Sequence, residues 1–167
     1  MAKKKLRLKK TACVVGEGLA EKAFINYLKS MYNKDNYRVT AKSAGGKGPS
    51  NVIKDTIGTY RAISYDRMSA LLDTDIPWPK TVVEEAEGLG IELFASKPCL
   101  ESTLADILGV KKPQQPTNKQ LKALIHPLLN GSPTCKNSYG VISKAQLEAA
   151  RKNNSDLDKL LSFLEDS

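Results

Sequence analysis

The run Ser69-Ala70-Leu71-Leu72 stops abruptly on Asp73-Thr74-Asp75. Short apolar runs bounded by polar turn residues read as strands buried on both faces, the condition of strands in a parallel sheet. Parallel strands must be joined by crossovers, usually helical, so this one stretch already restricts the chain to layered α/β architectures. It also points to a site, because in open α/β sheets ligands collect beyond the carboxyl ends of the strands. Alternation along an extended strand puts Asp73 and Asp75 on one face, where their carboxylates converge on a single cation. An all-oxygen pair of this kind suits Mg²⁺, with Mn²⁺ as a substitute.

The remaining segments fit the same plan. Ala12-Cys13-Val14-Val15 is a second compact apolar run, ending at Gly16-Glu17-Gly18. Ala20, Ala23, Phe24, Tyr27, Leu28 and Met31 then recur at helical spacing. Glu17 thus sits at a strand-to-helix turn, between glycines that allow a sharp bend and a close approach to a ligand, ahead of helix N–H groups open to a phosphate. Tyr37 to Ala41 reads as a second strand, and the loop Ser43 to Gly48 leads into a helix begun by Pro49. That loop is not a Walker A motif, since Lys47 is followed by Gly48 and Pro49 instead of Ser or Thr. After Pro77-Trp78-Pro79 a helix is expected over Lys80 to Glu87, a fourth strand over Ile91 to Ala95, and a helix from Leu100. Beyond Gly109 the pattern is helical again, with Thr117 and Ser143 as N-caps and an interruption at Asn153-Asn154.

The expected fold is therefore α/β, an open, mainly parallel four-stranded sheet with helices on both faces. Its predicted divisions are a basic arm over 1–10, the α/β domain over 11–109 and a helical C-terminal extension over 110–167 packed on the same domain. No apolar run approaches a membrane span, and the basic N-terminus lacks a signal peptide's apolar core, which makes the cytoplasm the expected compartment. Cys13, Cys99 and Cys135 form no CxxC pair, against a disulfide framework or a zinc ribbon. The formal charge of +8 suits an acidic partner, and nucleic acid, DNA or RNA, is the commonest. Six cations lie in the arm, Lys3, Lys4, Lys5, Arg7, Lys9 and Lys10, while Lys47 and Lys97 lie in loops at the strand ends. These are the candidate nucleic-acid contacts.

In this topology Glu17, Asp73, Asp75 and Glu101 all fall at carboxyl ends of strands. Like charges crowded together repel unless a cation neutralises them. Gly16-Glu17-Gly18 after an apolar strand, with Leu71-Leu72-Asp73-Thr74-Asp75 two strands later, resembles the Toprim domain of topoisomerases, primases, OLD-type nucleases and small RNA maturases. The turn Ser96-Lys97-Pro98-Cys99-Leu100-Glu101 is similar to the Asn-Pro-Cys-Phe-Glu segment of the RloB-like branch, found near bacterial defence loci, with Lys97 in place of the Asn and Leu100 in place of the aromatic. The resemblance spans about Ala12 to Leu108. It implies a Toprim-like (Rossmann-like) fold, Asp73 and Asp75 as Mg²⁺ ligands, Glu17 as general acid/base or further ligand, and Glu101 as the branch's late acid.

The implied reaction is phosphodiester hydrolysis in nucleic acid, in bacterial or phage defence. A topoisomerase would need a nucleophilic tyrosine on a separate domain, which this chain has no room for. A haloacid-dehalogenase-like phosphatase carries its Asp-x-Asp on the first strand, followed by Gly-Thr; here the pair is on the third, followed by Ile76-Pro77. The alternative from another class is a non-catalytic subunit that binds nucleic acid through phosphate contacts, or a protein partner, or its own copy. His126, the sole histidine, reads as a helix-end residue, and Trp78 as an aromatic over the sheet edge.

Overall fold

A computed structural model describes residues 8–167. Lys3, Lys4, Lys5 and Arg7 lie outside the described residues. Four strands, β1 (Lys10–Gly16), β2 (Tyr37–Ser43), β3 (Arg67–Asp73) and β4 (Glu92–Ser96), pair in the order β2-β1-β3-β4, every pair parallel. This is the α/β, Rossmann-like open sheet expected from the alternation of apolar runs and helical periods. Lys10, placed in the arm by composition, is the first residue of β1 and pairs with Tyr37.

Successive strand residues divide strictly between two cores. Ala12, Val14, Leu71 and Phe94 face one side, against α1 (Leu19–Tyr32) and the later helices. Cys13, Val15, Met68, Ala70 and Leu72 face the other, against α2 (Pro49–Ile63) and α3 (Lys80–Gly88). Fully burying each aliphatic side chain is worth about 1.5–3 kcal/mol, which locks the register, because a slip of one residue would turn both sets outward.

The chain leaves β1 through α1 toward β2, then crosses back through α2 to β3 on the opposite face. The point of reversal lies between the carboxyl ends of β1 and β3, the topological switch point where crevices form in such sheets. Glu17 and Asp73 are the residues at those two ends.

The C-terminal part adds α4 (Leu100–Leu108), α5 (Asn118–Ile125), α6 (Lys144–Arg151) and α7 (Ser155–Glu165), with short 3₁₀ turns over His126–Leu128 and Lys136–Val141. Thr117 and Ser143 cap α5 and α6 through reciprocal bonds with Gln120 and Gln146. The chain breaks at Asn153-Asn154, where the Asn154 side chain caps α7. Leu121, Ile125, Leu147, Leu157, Leu160, Leu161 and Phe163 share the α1-side core, so the extension completes that layer. Tyr139, read from sequence only as a loop residue, is fully buried there, with its hydroxyl donating to Pro133 O at 2.7 Å. No helix among the described residues is long and apolar enough to cross a membrane.

Candidate functional site

The turn after β1 is built by close packing. A Cβ on Gly16 would stand 2.6 Å from Glu21 Cβ and 2.9 Å from Lys22 N, so glycine is required to seat α1 against the strand end. Gly18 has an extended backbone open to any residue, with φ −134°. Its N–H donates to Glu21 Oε2 at 2.8 Å. That carboxylate of the first turn ties down the N–H of the residue before α1, while the first-turn N–H groups carry no side-chain cap. Gly16 therefore serves packing between strand and helix.

Glu17 turns back over the sheet. Its N–H donates to Leu71 O at 3.2 Å, and its Oε2 accepts from Asp73 N at 3.1 Å. The two acids at the switch point are thus tied together through backbone. Asp73 falls on the same side of β3 as Leu71, the side covered by α1, α4 and α5. The Trp78 indole N–H donates to Asp73 O at 2.8 Å, and the ring packs on the α2/α3 core, fixing the turn beyond the strand. Asp73 Oδ1 is buried and has no hydrogen-bond partner. Burial, then the charges of Glu21, Glu17, Asp75 and Glu101, push the Asp73 carboxyl up to about 8. Glu21 is raised too, chiefly by burial.

Asp75 is arranged differently from the strand alternation expected for it. The ladder to β4 ends at Asp73, paired with Ser96. Thr74 N and Asp75 N then donate to Pro98 O, at 2.9 and 3.2 Å, so the chain curls toward the β4–α4 turn. The Asp75 side chain is exposed, accepting from Ile76 N at 3.0 Å and from Asn118 Nδ2 at 2.8 Å. Its charge is felt at Asp73, but its oxygens are held by the turn and by α5.

Glu101, in the first turn of α4, is only 5% exposed. Its Oε1 lies 2.7 Å from His126 Nε2. Next to it, burial and the Glu101 charge push the Cys99 thiol up to about 12, which favours its protonated form at neutral pH. Glu21, Asp73, Glu101, Lys122 and His126 line one cleft of about 540 Å³, rimmed by Gly45 and Gly46 of the β2–α2 loop. One wall is acidic. The facing wall, Lys122 and His126 at i and i+4 of α5 and its end, comes from the C-terminal extension.

The candidate basic contacts scatter. Lys9 pairs with Asp35 at 3.7 Å and Lys10 lies over the Tyr37 ring, both at the amino end of the sheet, across the domain from the cleft. Lys97 Nζ pairs with Asp156 Oδ2 at 3.1 Å, whose other oxygen accepts from Ala95 N on the sheet edge. That pair anchors α7 to β4. Lys47 is exposed in the loop next to the cleft's Gly45-Gly46 rim.

Sequence reasoning missed Glu21, Lys122 and His126. Glu21 is the third residue of an obvious helix, and its burial follows from Gly16 drawing that helix in. His126 is 25 residues from Glu101, in a segment with no motif. The available signal was the Lys122/His126 spacing on a helix whose Leu121 and Ile125 form the buried stripe.

Among the described residues no three His, Cys, Asp or Glu side chains form a ready-made metal cage. The donors that β1 and β3 bring to the switch point, Glu17 and Asp73, are hard oxygens, and Asp73 has a buried oxygen without a partner. Two carboxylates, with waters and substrate oxygens completing the shell, suit Mg²⁺, so the residues present fit such an ion. Compared with known protein families, with curated proteins and with solved structures, the chain has no match.

Proposed function

We propose that this chain is a Toprim-type phosphodiesterase, most similar to the RloB-like branch, that hydrolyses nucleic acid with a divalent cation held by Glu17 and Asp73. The observation that carries the reading is the partnerless buried Oδ1 of Asp73, a residue at the switch point that lines the cleft and donates its backbone N–H to Glu17. A buried carboxylate oxygen with no donor is costly unless a cation or a proton meets it. A bound Mg²⁺ would stabilise charge developing on a scissile phosphodiester.

The chain's own residues divide the remaining work. Glu17 is held by two backbone contacts, so its carboxylate keeps its position relative to Asp73. Lys122 on the facing wall offers a cation to the phosphate oxygens. Asp75, bonded to Asn118, fastens α5 to the turn after β3 and so sets the width of the cleft. Lys47, exposed beside the cleft rim, is assigned to the strand beyond the scissile phosphate.

The test is cleavage of supercoiled DNA, linear DNA and structured RNA with Mg²⁺ or Mn²⁺. The expected result is metal-dependent cutting, reduced by about 10³-fold or more in Asp73→Ala and Glu17→Gln. Cutting that survives in both variants would overturn the assignment. Wild-type binding without any cutting would favour the non-catalytic nucleic-acid-binding subunit.

A further inference from the structure

The pair Glu101–His126 is not explained by cation binding. Glu101 is nearly inaccessible, fixed in the first turn of α4, and directs one oxygen at the imidazole 2.7 Å away. His126 stands where α5 passes into a 3₁₀ turn, with Pro127 restricting the backbone behind it. Its ring reaches the cleft that also contains Asp73 and Lys122. A carboxylate accepting from Nε2–H fixes the proton on that nitrogen and leaves Nδ1 with its lone pair. Nδ1 has no hydrogen-bond partner among the described residues. A buried carboxylate that orients an imidazole whose second nitrogen is free is the arrangement of a general base.

We infer that His126 is the proton acceptor of this cleft and that Glu101, rather than reacting itself, is its positioning residue. The inference rests on the phosphodiesterase reading. In the step assigned to it, His126 Nδ1 takes a proton from the attacking water as the water oxygen bonds to phosphorus. The phosphorus–oxygen bond to the leaving group breaks, the leaving alkoxide takes a proton from solvent, and the imidazolium returns its proton to solvent before the next turnover. The reaction consumes one water and yields a phosphomonoester and an alcohol. Glu17 and Asp73 are then free of proton transfer, which agrees with their ties to each other and with their proposed cation.

Two measurements test this separately from the parent proposal. Because His126 is the only histidine, its ring nitrogens can be read without assignment ambiguity by long-range ¹H–¹⁵N correlation in the metal-free protein. The neutral ring is expected as the Nε2–H tautomer in the wild type, with a mixture of tautomers in Glu101→Gln. A wild-type ring protonated on Nδ1 in its neutral form would overturn the inference whatever the enzyme does.

The second measurement is cleavage by His126→Ala and His126→Gln, the latter retaining an amide that donates to Glu101. The substrates are the nucleic acid that the wild type cuts and bis(p-nitrophenyl) phosphate, whose leaving group needs no proton. Loss of a general base lowers kcat by about 10²–10⁴-fold, and the loss is expected on both substrates, with KM little changed and with partial rescue of His126→Ala by added imidazole. Glu101→Gln is expected to lose about 10–100-fold, as orienting partners do. Metal-dependent cutting unaffected by His126→Gln would sink this inference and leave the phosphodiesterase reading intact. A loss confined to the nucleic acid would overturn the base assignment, since a proton donor to the leaving group or a residue that only binds the polymer behaves so. A wild type that cuts neither substrate would overturn both.

Discussion

The protein gathers acids in two places and treats them in opposite ways. Around Arg151, Glu148, Asp158 and Glu165 converge from α6 and α7, at 3.1, 2.7 and 2.5 Å, with Ser162 Oγ completing the shell. Around Asp73, Glu17, Glu21 and Glu101 converge from the β1–α1 turn, α1 and α4, and no lysine or arginine among the described residues pairs with any of them. In the first cluster a guanidinium supplied by the chain satisfies the acids and joins two helices. In the second, repulsion and burial leave Asp73 holding its proton to about pH 8. A fold able to neutralise three carboxylates with one arginine has not done so at its switch point. The difference separates charge used for structure from charge kept for chemistry.

The comparison can be broken first at Arg151. Arg151→Ala leaves three carboxylates facing one another beside a mostly buried stem, and should cost about 3 kcal/mol. For a chain of this size that lowers Tm by roughly 6–12 °C; a melt within two degrees of wild type would show the cluster to be mere surface decoration. At the other cluster the cation should come from solution. Mg²⁺ or Mn²⁺ at one hundred times its Kd should stabilise the wild type by about 2.7 kcal/mol, with no such gain in Asp73→Asn or Glu17→Gln, as followed by thermal melts and calorimetry.

A smaller effect concerns pH in the absence of divalent cations. The Asp73 carboxyl releases its proton near 3.8 in the unfolded chain but near 8 when folded. Between those values the unfolded state binds fewer protons, so stability falls as pH rises through the window. Asp73→Asn removes that penalty. It should exceed wild type in stability at pH 8, with the difference vanishing toward pH 4; denaturant melts at pH 4, 6 and 8 measure it. An Asn variant less stable than wild type at pH 8 would mean that the buried oxygen has a partner after all. Asp75→Asn, exposed and already hydrogen-bonded by its turn, should lie within about 0.5 kcal/mol of wild type at every pH.

Much of the fold could be read directly from the chain. Ala12 to Val15 and Ser69 to Leu72 are too short and too uniformly apolar to be anything but two-sided strands, and the helical periods between them leave parallel crossovers as the consistent solution. Thr117 and Ser143 announced their helices through cap chemistry that acts within three residues, whereas Asn154, read only as part of an interruption, caps α7. The candidate site was legible where it depended on strand ends, at Glu17, Asp73 and Glu101. It was misread where the strand stopped. Asp75 obeys alternation only if β3 continues, and the carbonyl of Pro98, 23 positions away, takes its N–H instead. Lys97 looked available to a ligand because Asp156, on a distant helix, cannot be seen from the turn that carries Lys97.

What the sequence by itself determined, then, is the layer architecture and the identity of the acids at the carboxyl edge, because both follow from local periodicity and from topology that permits few alternatives. Tertiary structure alone decided which of those acids are buried and which side chains oppose them. Gly16 draws α1 close enough to bury Glu21, and the C-terminal helices swing Lys122 and His126 across to Glu101. Those encounters depend on where separate elements come to rest when their apolar faces are buried together, and no spacing along the chain encodes them.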